Sequence, residues 1–210
     1  MIRVLLADDH AMIRVGLKRI LDAADGIRVV GEAATGEAAV DKLSSMPVDV
    51  VLLDISMPGP GILETMRRIR GARPAVKVLV LSIHSEEQYA VRCLRAGAHG
   101  YLSKERSPEE LVEAIRTVNT GGRYANPAVL ERLRSPRRRG EAKLPHDMLS
   151  AREFEVFRML ASGTSIKDIA ERLTLSPKTV STFRARILRK MGLHSNADMV
   201  RYAIAQGLEP

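Results

Sequence analysis

The sequence predicts two domains: an α/β domain with a doubly wound, five-stranded parallel sheet over residues 1–120, and a separate all-α domain of four helices over residues 147–210. Two observations predict them. Short β-rich segments alternate with amphipathic helical segments in the first domain, whereas the second has helical patterns only. Charge divides in the same way, because residues 1–120 have 16 basic and 16 acidic side chains and residues 121–210 have 17 and 9. The formal net charge of +8 therefore lies entirely in the second part, which indicates a polyanionic partner there.

Composition excludes several classes of protein. An apolar share of 45% is ordinary for a globular protein and too high for a disordered one. The longest nearly continuous apolar run, Val48–Ile55, includes two Asp, whereas a membrane-spanning helix needs about 20 apolar residues. Asp8 and Asp9 interrupt the position where a signal peptide would stay apolar, so we expect a cytoplasmic protein without membrane contact. The single cysteine, Cys93, forms no internal disulfide and is expected to be buried.

The alternation in the first domain defines five strands and five helices. The strands are predicted at Arg3–Leu6, Arg28–Val30, Val48–Leu53, Val76–Leu81 and Gly100–Leu102. The helices are predicted at residues 11–23, 36–45, 62–70, 86–96 and 108–119. The last helix begins with a clear signal, Ser107-Pro108-Glu109-Glu110, which is an N-cap followed by Pro and acidic residues in the first turn. In such a sheet, ligands bind beyond the carboxyl ends of the strands, so functional side chains are expected directly after each strand.

Charged and hydroxyl side chains occupy these positions, namely Asp8, Asp9, Asp54, Ser82 and Lys104. Three close carboxylates repel each other unless a cation lies among them, and oxygen-only ligands favour Mg²⁺. A divalent ion together with Lys104 would neutralise a phosphoryl group transferred onto a carboxylate, and Ser82 would hydrogen-bond a phosphoryl oxygen. The pattern therefore predicts a phospho-acceptor site, with Asp54 as the nucleophile because it ends the central apolar strand.

Residues 121–146 are predicted to link the two domains. Gly121 and Gly122 would end the last helix of the first domain, and Pro127–Leu133 would form a short helix. The run Arg134–Gly140 is basic and interrupted by Pro and Gly. A solvated flexible tether is the favoured interpretation of this run, with direct phosphate contact as the alternative.

Four helices with capping signals are predicted in the second domain. They begin at Ser150, Ser165, Ser176 and Ser195 and end near Ala161, Leu173, Met191 and Gly207. The second and third are separated by only three residues, Thr174-Leu175-Ser176. Two short helices with a tight turn, the second of them basic, are typical of a helix-turn-helix.

The third of these helices is amphipathic when read at about 100° per residue. Its apolar stripe, which must face the core, consists of Val180, Phe183, Ile187, Leu188 and Met191. The opposite face carries Lys178, Ser181, Thr182, Ala185, Arg186 and Arg189. Small and polar side chains let the backbone approach base edges, and Lys or Arg reach phosphates. The charge and facing select Lys178, Arg186 and Arg189 for phosphate contacts, whereas Arg184 has no predicted role.

The segments VLLADDH, DVVLLDISMPG, VLVLS and GYLSK resemble the flavodoxin-like receiver domain of two-component response regulators over residues 1–120. The resemblance implies that Asp9 and Asp54 ligate Mg²⁺ together with the Ser56 carbonyl, while Asp8 assists through water. It also implies that Asp54 takes a phosphoryl group from the His of a sensor histidine kinase and that Lys104 pairs with this group.

The same resemblance implies a switch pair, in which Ser82 moves toward the phosphoryl group and Tyr101 turns inward. One stretch departs from the family pattern. After MPG the family usually has a small hydrophobic residue, then Asp or Asn, then Gly, whereas this chain has Pro60-Gly61-Ile62. Because Ile stands where Gly is usual, we expect a different loop geometry beside the acceptor and an altered phosphoryl lifetime.

The segment LSAREFEVFRMLASGTSIKDIAERLTLSPKTVSTFRARILRKMGL resembles the LuxR-type DNA-binding domain, so the whole chain is similar to NarL/FixJ-type response regulators. This resemblance implies dimeric binding to double-stranded DNA, with three residues nearest the base edges: Ser181, Thr182 and Ala185. The predicted function is that of a cytoplasmic transcription regulator, not an enzyme. Phosphorylation at Asp54 would make it a homodimer that binds promoter DNA.

Two alternatives stay open from the residues alone. The acidic cluster would also suit a phosphotransferase of the aspartyl-phosphate hydrolase type, but those enzymes typically need a second Asp two residues after the nucleophile, and here that residue is Ser56. The other alternative is a phosphorylation-independent binder that acts through RNA or a protein partner.

Overall fold

The structure, a computed structural model, describes residues 1–57, 61–82, 87–134, 145–206 and 208. These residues belong to two compact units, Met1–Pro136 and Arg137–Pro210. Four predicted features therefore lie wholly or partly outside the described residues: the loop at 58–60, the start of the helix at 86–96, the basic run at 135–140 and the end of the last helix at Gly207.

The first unit contains the predicted five-stranded parallel sheet. Its strands are β1 (Ile2–Ala7), β2 (Ile27–Ala33), β3 (Val50–Asp54), β4 (Lys77–Ser82) and β5 (Gly100–Ser103). They are arranged in the order β2-β1-β3-β4-β5. The helices between and after them are α1 (Ala11–Asp22), α2 (Gly36–Ser45), α3 (Ile62–Ala72), α4 (Glu87–Arg95) and α5 (Pro108–Asn119). The chain reverses its direction of winding between β1 and β3, which is where such a fold places its ligand site.

Both faces of this sheet are covered, so its central strands are apolar without alternation. Every residue of β3 is buried. On one face, α1 and α5 contribute Leu21, Leu111 and Ile115 to a core that includes strand residues such as Leu52. Helix α2 contacts β1 and β2, and α4 contacts β5. Cys93 of α4 is fully buried, as predicted. Burial raises the pKa of its thiol to about 12.

The first compact unit continues beyond residue 120, into the range where the sequence predicted a linker. Gly121 adopts a left-handed conformation after α5, as predicted for a helix terminus. The backbone of Tyr124 then pairs with the free edge of β5, accepting a hydrogen bond from the Tyr101 N–H at 2.8 Å and donating one to the His99 carbonyl at 3.2 Å. The predicted short helix, α6 (Pro127–Arg134), packs on α4 and buries Val129. Edge pairing and apolar packing therefore hold these residues on the sheet domain.

The second unit contains a 3₁₀ turn (Pro145–Met148) and the four predicted helices α7 (Ala151–Ala161), α8 (Ile166–Arg172), α9 (Pro177–Met191) and α10 (Asn196–Ala205). Ser150, Ser165, Ser176 and Ser195 cap them, each accepting a hydrogen bond from a backbone N–H in the first turn. Within the described part of the chain, no helix is both long enough and apolar enough to cross a membrane.

Candidate functional site

The strand register brings the acidic residues to one edge of the sheet. Ala7 of β1 lies beside Leu53 of β3, so the residues that follow them, Asp8 and Asp54, lie at the same level. Both carboxylates are 1% exposed. The Ile55 N–H donates to the Leu81 carbonyl at 3.0 Å, which continues the pairing of β3 and β4 past Asp54. The buried position of Asp54 therefore follows from its place at the end of the most enclosed strand.

Lys104 connects the two buried carboxylates. Its Nζ lies 2.6 Å from Asp8 Oδ2 and 2.9 Å from Asp54 Oδ1, and its side chain is only 9% exposed. The Lys104 N–H donates to the Ser82 carbonyl at 2.6 Å, which fixes the backbone directly after β5. Three of the predicted site residues thus form one contact cluster, in which Lys104 touches both Asp8 and Asp54.

Burial and charge oppose each other in this cluster. Burial raises the pKa of Asp54, and the ammonium of Lys104 offsets only part of that increase. For Lys104, burial lowers the pKa, but the carboxylates of Asp54 and Asp8 outweigh it and the net pKa is raised. The cluster therefore holds one firmly charged ammonium between two carboxylates, one of which is destabilised in its charged form.

The acidic cluster offers a set of oxygen ligands for a cation. Ligand atoms of Asp8, Asp9, His10 and Asp54 all lie within 4.8 Å of one another. Asp54 Oδ2 is buried and has no hydrogen-bond partner among the described residues, and such an atom normally needs one. Ser56, whose carbonyl was the predicted backbone ligand, follows two residues after Asp54 in the loop that leaves β3. Carboxylate oxygens with one unsatisfied buried atom fit a hard divalent ion such as Mg²⁺.

His10 contacts this cluster, although the sequence, which places it near the same edge, favours a solvent-facing side chain over a ligand. Its ring is 59% exposed, but Nδ1 lies 2.9 Å from Asp9 Oδ1 and 3.2 Å from Asp8 Oδ1. The His10 N–H also donates to Asp8 Oδ1 at 2.8 Å. Its position directly after the Asp pair is the only sequence signal for this contact, and it does not distinguish a ring that turns toward the carboxylates from one that turns to solvent.

The predicted switch residues, Ser82 and Tyr101, meet near Asp54. Ser82 is 1% exposed and Tyr101 is 6% exposed. Burial raises the pKa of the Tyr101 hydroxyl, while a side-chain hydrogen bond with Ser82 acts in the opposite direction. The Tyr101 N–H also donates to the Tyr124 carbonyl. Ser82 and Tyr101 therefore lie between the acidic residues and the segment that leads to α6.

The departure from the family pattern is accommodated by Gly61 instead of residue 62. Gly61 has φ of 86° and ψ of 160°, a conformation that is essentially restricted to glycine. Ile62 is the first residue of α3 and is buried. The Gly61 carbonyl accepts hydrogen bonds from the Thr65 N–H and Oγ1, each at 3.0 Å, which anchors the start of the helix. Ile62 therefore needs no unusual φ.

Helix α9 presents its predicted polar face to solvent. All six residues of that face are exposed: Lys178, Ser181, Thr182, Ala185, Arg186 and Arg189. Val180, Ile187 and Met191 are buried on the opposite side, and Phe183 and Leu188 are half-buried. The division between the two faces of the helix agrees with the helical periodicity of the sequence.

Two contacts hold α9 in place. Arg184, which had no predicted role, donates from Nε to Asn196 Oδ1 at 2.7 Å and so connects α9 to the start of α10. Lys190 Nζ lies 2.6 Å from the buried carboxylate of Glu153 on α7. The turn before α9 is formed by Thr174, the one non-glycine residue with positive φ among those described (φ of 53°). The α8–turn–α9 arrangement is thus a helix-turn-helix with an exposed second helix.

Both parts of the chain match known families. Residues 4–116 match the response regulator receiver domain, and residues 147–203 match the luxR family of bacterial regulatory proteins. The response regulator UvrY of Escherichia coli K12 is 42% identical over 209 residues, which is 99% of this chain and 96% of UvrY. The response regulator GacA of Pseudomonas aeruginosa PAO1 is 37% identical over 212 residues, covering 99% of this chain and 98% of GacA.

A solved structure of RcsB from Salmonella enterica serovar Typhimurium, bound to promoter P1flhDC in the presence of phosphomimetic BeF3⁻, is also similar. Its TM-score is 0.59 at 25% identity, and the match covers 96% of this chain and 97% of that one. Another structure, of two RcsB dimers bound to two parallel DNAs, has a TM-score of 0.58 at 25% identity and covers 96% of both chains. The chain therefore belongs to the NarL/FixJ family of two-component response regulators, in which a receiver domain precedes a LuxR-type DNA-binding domain.

Proposed function

We propose that Asp54 accepts a phosphoryl group from a phosphohistidine of a sensor histidine kinase. In this transfer an oxygen of Asp54 forms a bond to phosphorus, the phosphorus–nitrogen bond of the donor breaks, and the imidazole leaves with the electron pair. The observation that carries the proposal is the buried Asp54 carboxylate, whose Oδ2 has no partner among the described residues and whose Oδ1 contacts Lys104. A preorganised ammonium stabilises the charge that develops on the phosphoryl oxygens.

The residues that would hold Mg²⁺ are Asp9 and Asp54 with the Ser56 carbonyl, while Asp8 would act through water. When bound, the ion supplies positive charge that balances the phosphoryl oxygens. The proximity of the carboxylates supports this assignment. Asp8 also keeps Lys104 in position through its 2.6 Å contact, and this role does not depend on the ion.

Ser82 and Tyr101 would report the state of Asp54 to the rest of the receiver domain. A phosphoryl group adds charge and hydrogen-bond acceptors next to Ser82, whose hydroxyl would turn toward it. Tyr101, which was predicted to turn inward, is already buried and would keep that position, while its backbone N–H donates to the Tyr124 carbonyl. We infer that this change favours a homodimer.

The dimer would place two copies of α9 in successive major grooves of promoter DNA, in the cytoplasm where that DNA lies. Ser181, Thr182 and Ala185 would lie nearest the base edges, and the three basic residues of the same face would contact phosphates. The exposure of all six supports this role. The RcsB structures bound to DNA support it by similarity.

The decisive experiment is a mobility shift on a promoter fragment obtained by in vitro selection, with and without beryllofluoride and Mg²⁺. We expect activation to raise the DNA affinity of the wild-type protein by about tenfold or more. Analytical ultracentrifugation of the activated protein should show dimers. Asp54→Asn should not respond. The matched control is Asp41→Asn on the exposed face of α2, which should respond like the wild type.

Two results would overturn this proposal. An equal response in Asp54→Asn would move the switch away from the acceptor, and an unchanged wild-type affinity would favour a phosphorylation-independent binder. The family is one of DNA-binding transcription regulators, and Ser56 stands where a hydrolase would need its second Asp. An Asp54-dependent turnover of a free phosphoester much faster than about once per minute would instead indicate an enzyme.

A further inference from the structure

A cavity of about 370 Å³ lies at the amino ends of β4 and β5, whereas Asp54 lies at the carboxyl end of β3, on the opposite side of the sheet along the strand direction. It is bounded by the end of α3, the starts of these two strands and the segment after α5. Four basic residues line it: Arg70, Lys77, His99 and Arg123. None of the described residues that line it is acidic. The cavity thus concentrates positive charge in a domain whose net charge is close to zero.

The cavity has an apolar floor and a cationic rim. Met66, Ile69 and Val78 are buried beneath it, whereas Arg70 and Arg123 are exposed at its mouth. Small-molecule sites usually combine these features: an apolar hollow of at least about 300 Å³ with a few convergent polar groups.

The guanidinium of Arg70 is held in place, because it donates to the Ala96 carbonyl and lies against Gly97. A Cβ atom at residue 97 would be 2.6 Å from Arg70 Nη2, so a side chain there would force the guanidinium to shift. Among the described residues, no carboxylate forms a salt bridge with Arg70, Lys77 or Arg123. These cations therefore line the cavity without an ion pair to any described carboxylate of the domain.

His99 adds a directed donor. Its Nδ1 accepts a hydrogen bond from the Val78 N–H at 3.1 Å, so the proton of the neutral ring is on Nε2. Burial lowers the pKa of His99, and the neighbouring cations Lys77, Arg123 and Arg70 lower it further. The three cations therefore disfavour protonation of His99. An anion bound among the four residues would reduce the repulsion between their positive charges.

We propose that this cavity binds a small phosphate-type anion with at least two negative charges, held by Arg70, Lys77 and Arg123 and by the Nε2–H of His99. Guanidinium groups match pairs of phosphate oxygens, and such charge-assisted hydrogen bonds are the strong ones. The concave shape favours a small ligand over a duplex. Because Arg123 directly precedes Tyr124, the bound anion would also fasten the α6 segment to the sheet.

The test is a titration of the full chain with inorganic pyrophosphate, without Mg²⁺, followed by amide NMR. We expect saturable shifts at Gly97, His99 and Arg123 with a Kd near or below about 1 mM, together with a raised Tm. Shifts confined to the DNA-binding domain up to about 10 mM would overturn the proposal. This measurement uses the wild-type protein and needs no variant to fold.

The variant Lys77→Gln/Arg123→Gln should weaken pyrophosphate binding by about tenfold or more. Arg73→Gln is a control that removes one nearby positive charge, since Arg73 is exposed one turn beyond Arg70 and does not line the cavity, and we expect it to bind like the wild type. Equal weakening by both variants would show that pyrophosphate responds to the general positive charge of this surface, and a specific site in the cavity would be excluded. If a nonspecific DNA duplex produced the same amide shifts and pyrophosphate did not, the site would belong to nucleic-acid phosphates and the small-ligand assignment would be wrong.

Discussion

The acidic edge of the receiver domain and the exposed face of α9 use charge in opposite ways. At the acidic edge, Asp8 and Asp54 are buried against one ammonium at 2.6 and 2.9 Å. On α9, Lys178, Arg186 and Arg189 are all exposed. Interactions between charges are strong where water is excluded and weak where it is not. The site proposed for phosphoryl transfer therefore depends on a few fixed groups, whereas the surface proposed for DNA depends on many contacts that are individually replaceable.

The largest effect is expected from Lys104→Gln. The substitution removes the positive charge that contacts Asp54, so phosphorylation should slow by about 100-fold or more. The measurement is the initial rate of phosphoryl transfer from the phosphorylated kinase. Lys42→Gln in the last turn of α2 is the control and should keep the wild-type rate. A Lys104→Gln rate within about threefold of the wild type would contradict a direct role of the ammonium.

A smaller effect is expected on the DNA side. Arg186→Ala/Arg189→Ala should weaken DNA binding about 10- to 100-fold at moderate salt and reduce the slope of log affinity against log salt by about two. Because both side chains are exposed, the free energy of unfolding should change by less than about 0.5 kcal/mol. Arg201→Ala on α10 serves as a control that removes one positive charge from another helix. Loss of affinity with an unchanged salt slope would exclude phosphate contacts for this pair.

At neutral pH the buried charge of Asp54 should lower the free energy of unfolding of the receiver domain. Since burial raises the pKa of Asp54, its charged form is disfavoured in the folded state, and Asp54→Asn should increase the free energy of unfolding by about 1 kcal/mol without Mg²⁺. The stability that Asp54 contributes is present below its ordinary pKa of 3.8 and is lost as the pH rises through the raised folded pKa. The gain in Asp54→Asn should therefore shrink when urea unfolding is repeated at decreasing pH. A gain that is independent of pH would contradict this origin.

The smallest effect is expected at the turn before α9. Thr174 has φ of 53°, which is unfavourable for a β-branched residue and tolerated better by Asn. Thr174→Asn should raise the free energy of unfolding of the second domain by about 0.5 kcal/mol without weakening DNA binding. Thr174→Val retains the β-branch and should bring no gain. A loss of stability in Thr174→Asn would show that the threonine hydroxyl matters more than the backbone conformation.

The sequence predicted the elements of both domains well because their signals are local. Hydrophobic periodicity and the capping residues Ser107, Ser150 and Ser176 mark helices wherever they occur, and the structure confirms these helices. The boundary between the domains was less predictable. The pairing of Tyr124 with β5 depends on an edge strand some 20 residues earlier in the chain, and no local pattern indicates it.

For the sites, the sequence by itself determined which residue types follow each strand and which face of α9 is polar. Its roles for Asp8, Asp9, Asp54, Ser82 and Lys104 stay predictions, but their placement at one edge follows from parallel strand order alone. Only the tertiary structure decided which contacts form. It places Lys104 between two carboxylates, turns His10 toward the acidic pair and leaves Asp54 Oδ2 without a partner among the described residues. The physical reason is that burial and side-chain direction depend on groups far apart in sequence, so no residue's neighbours along the chain can specify them.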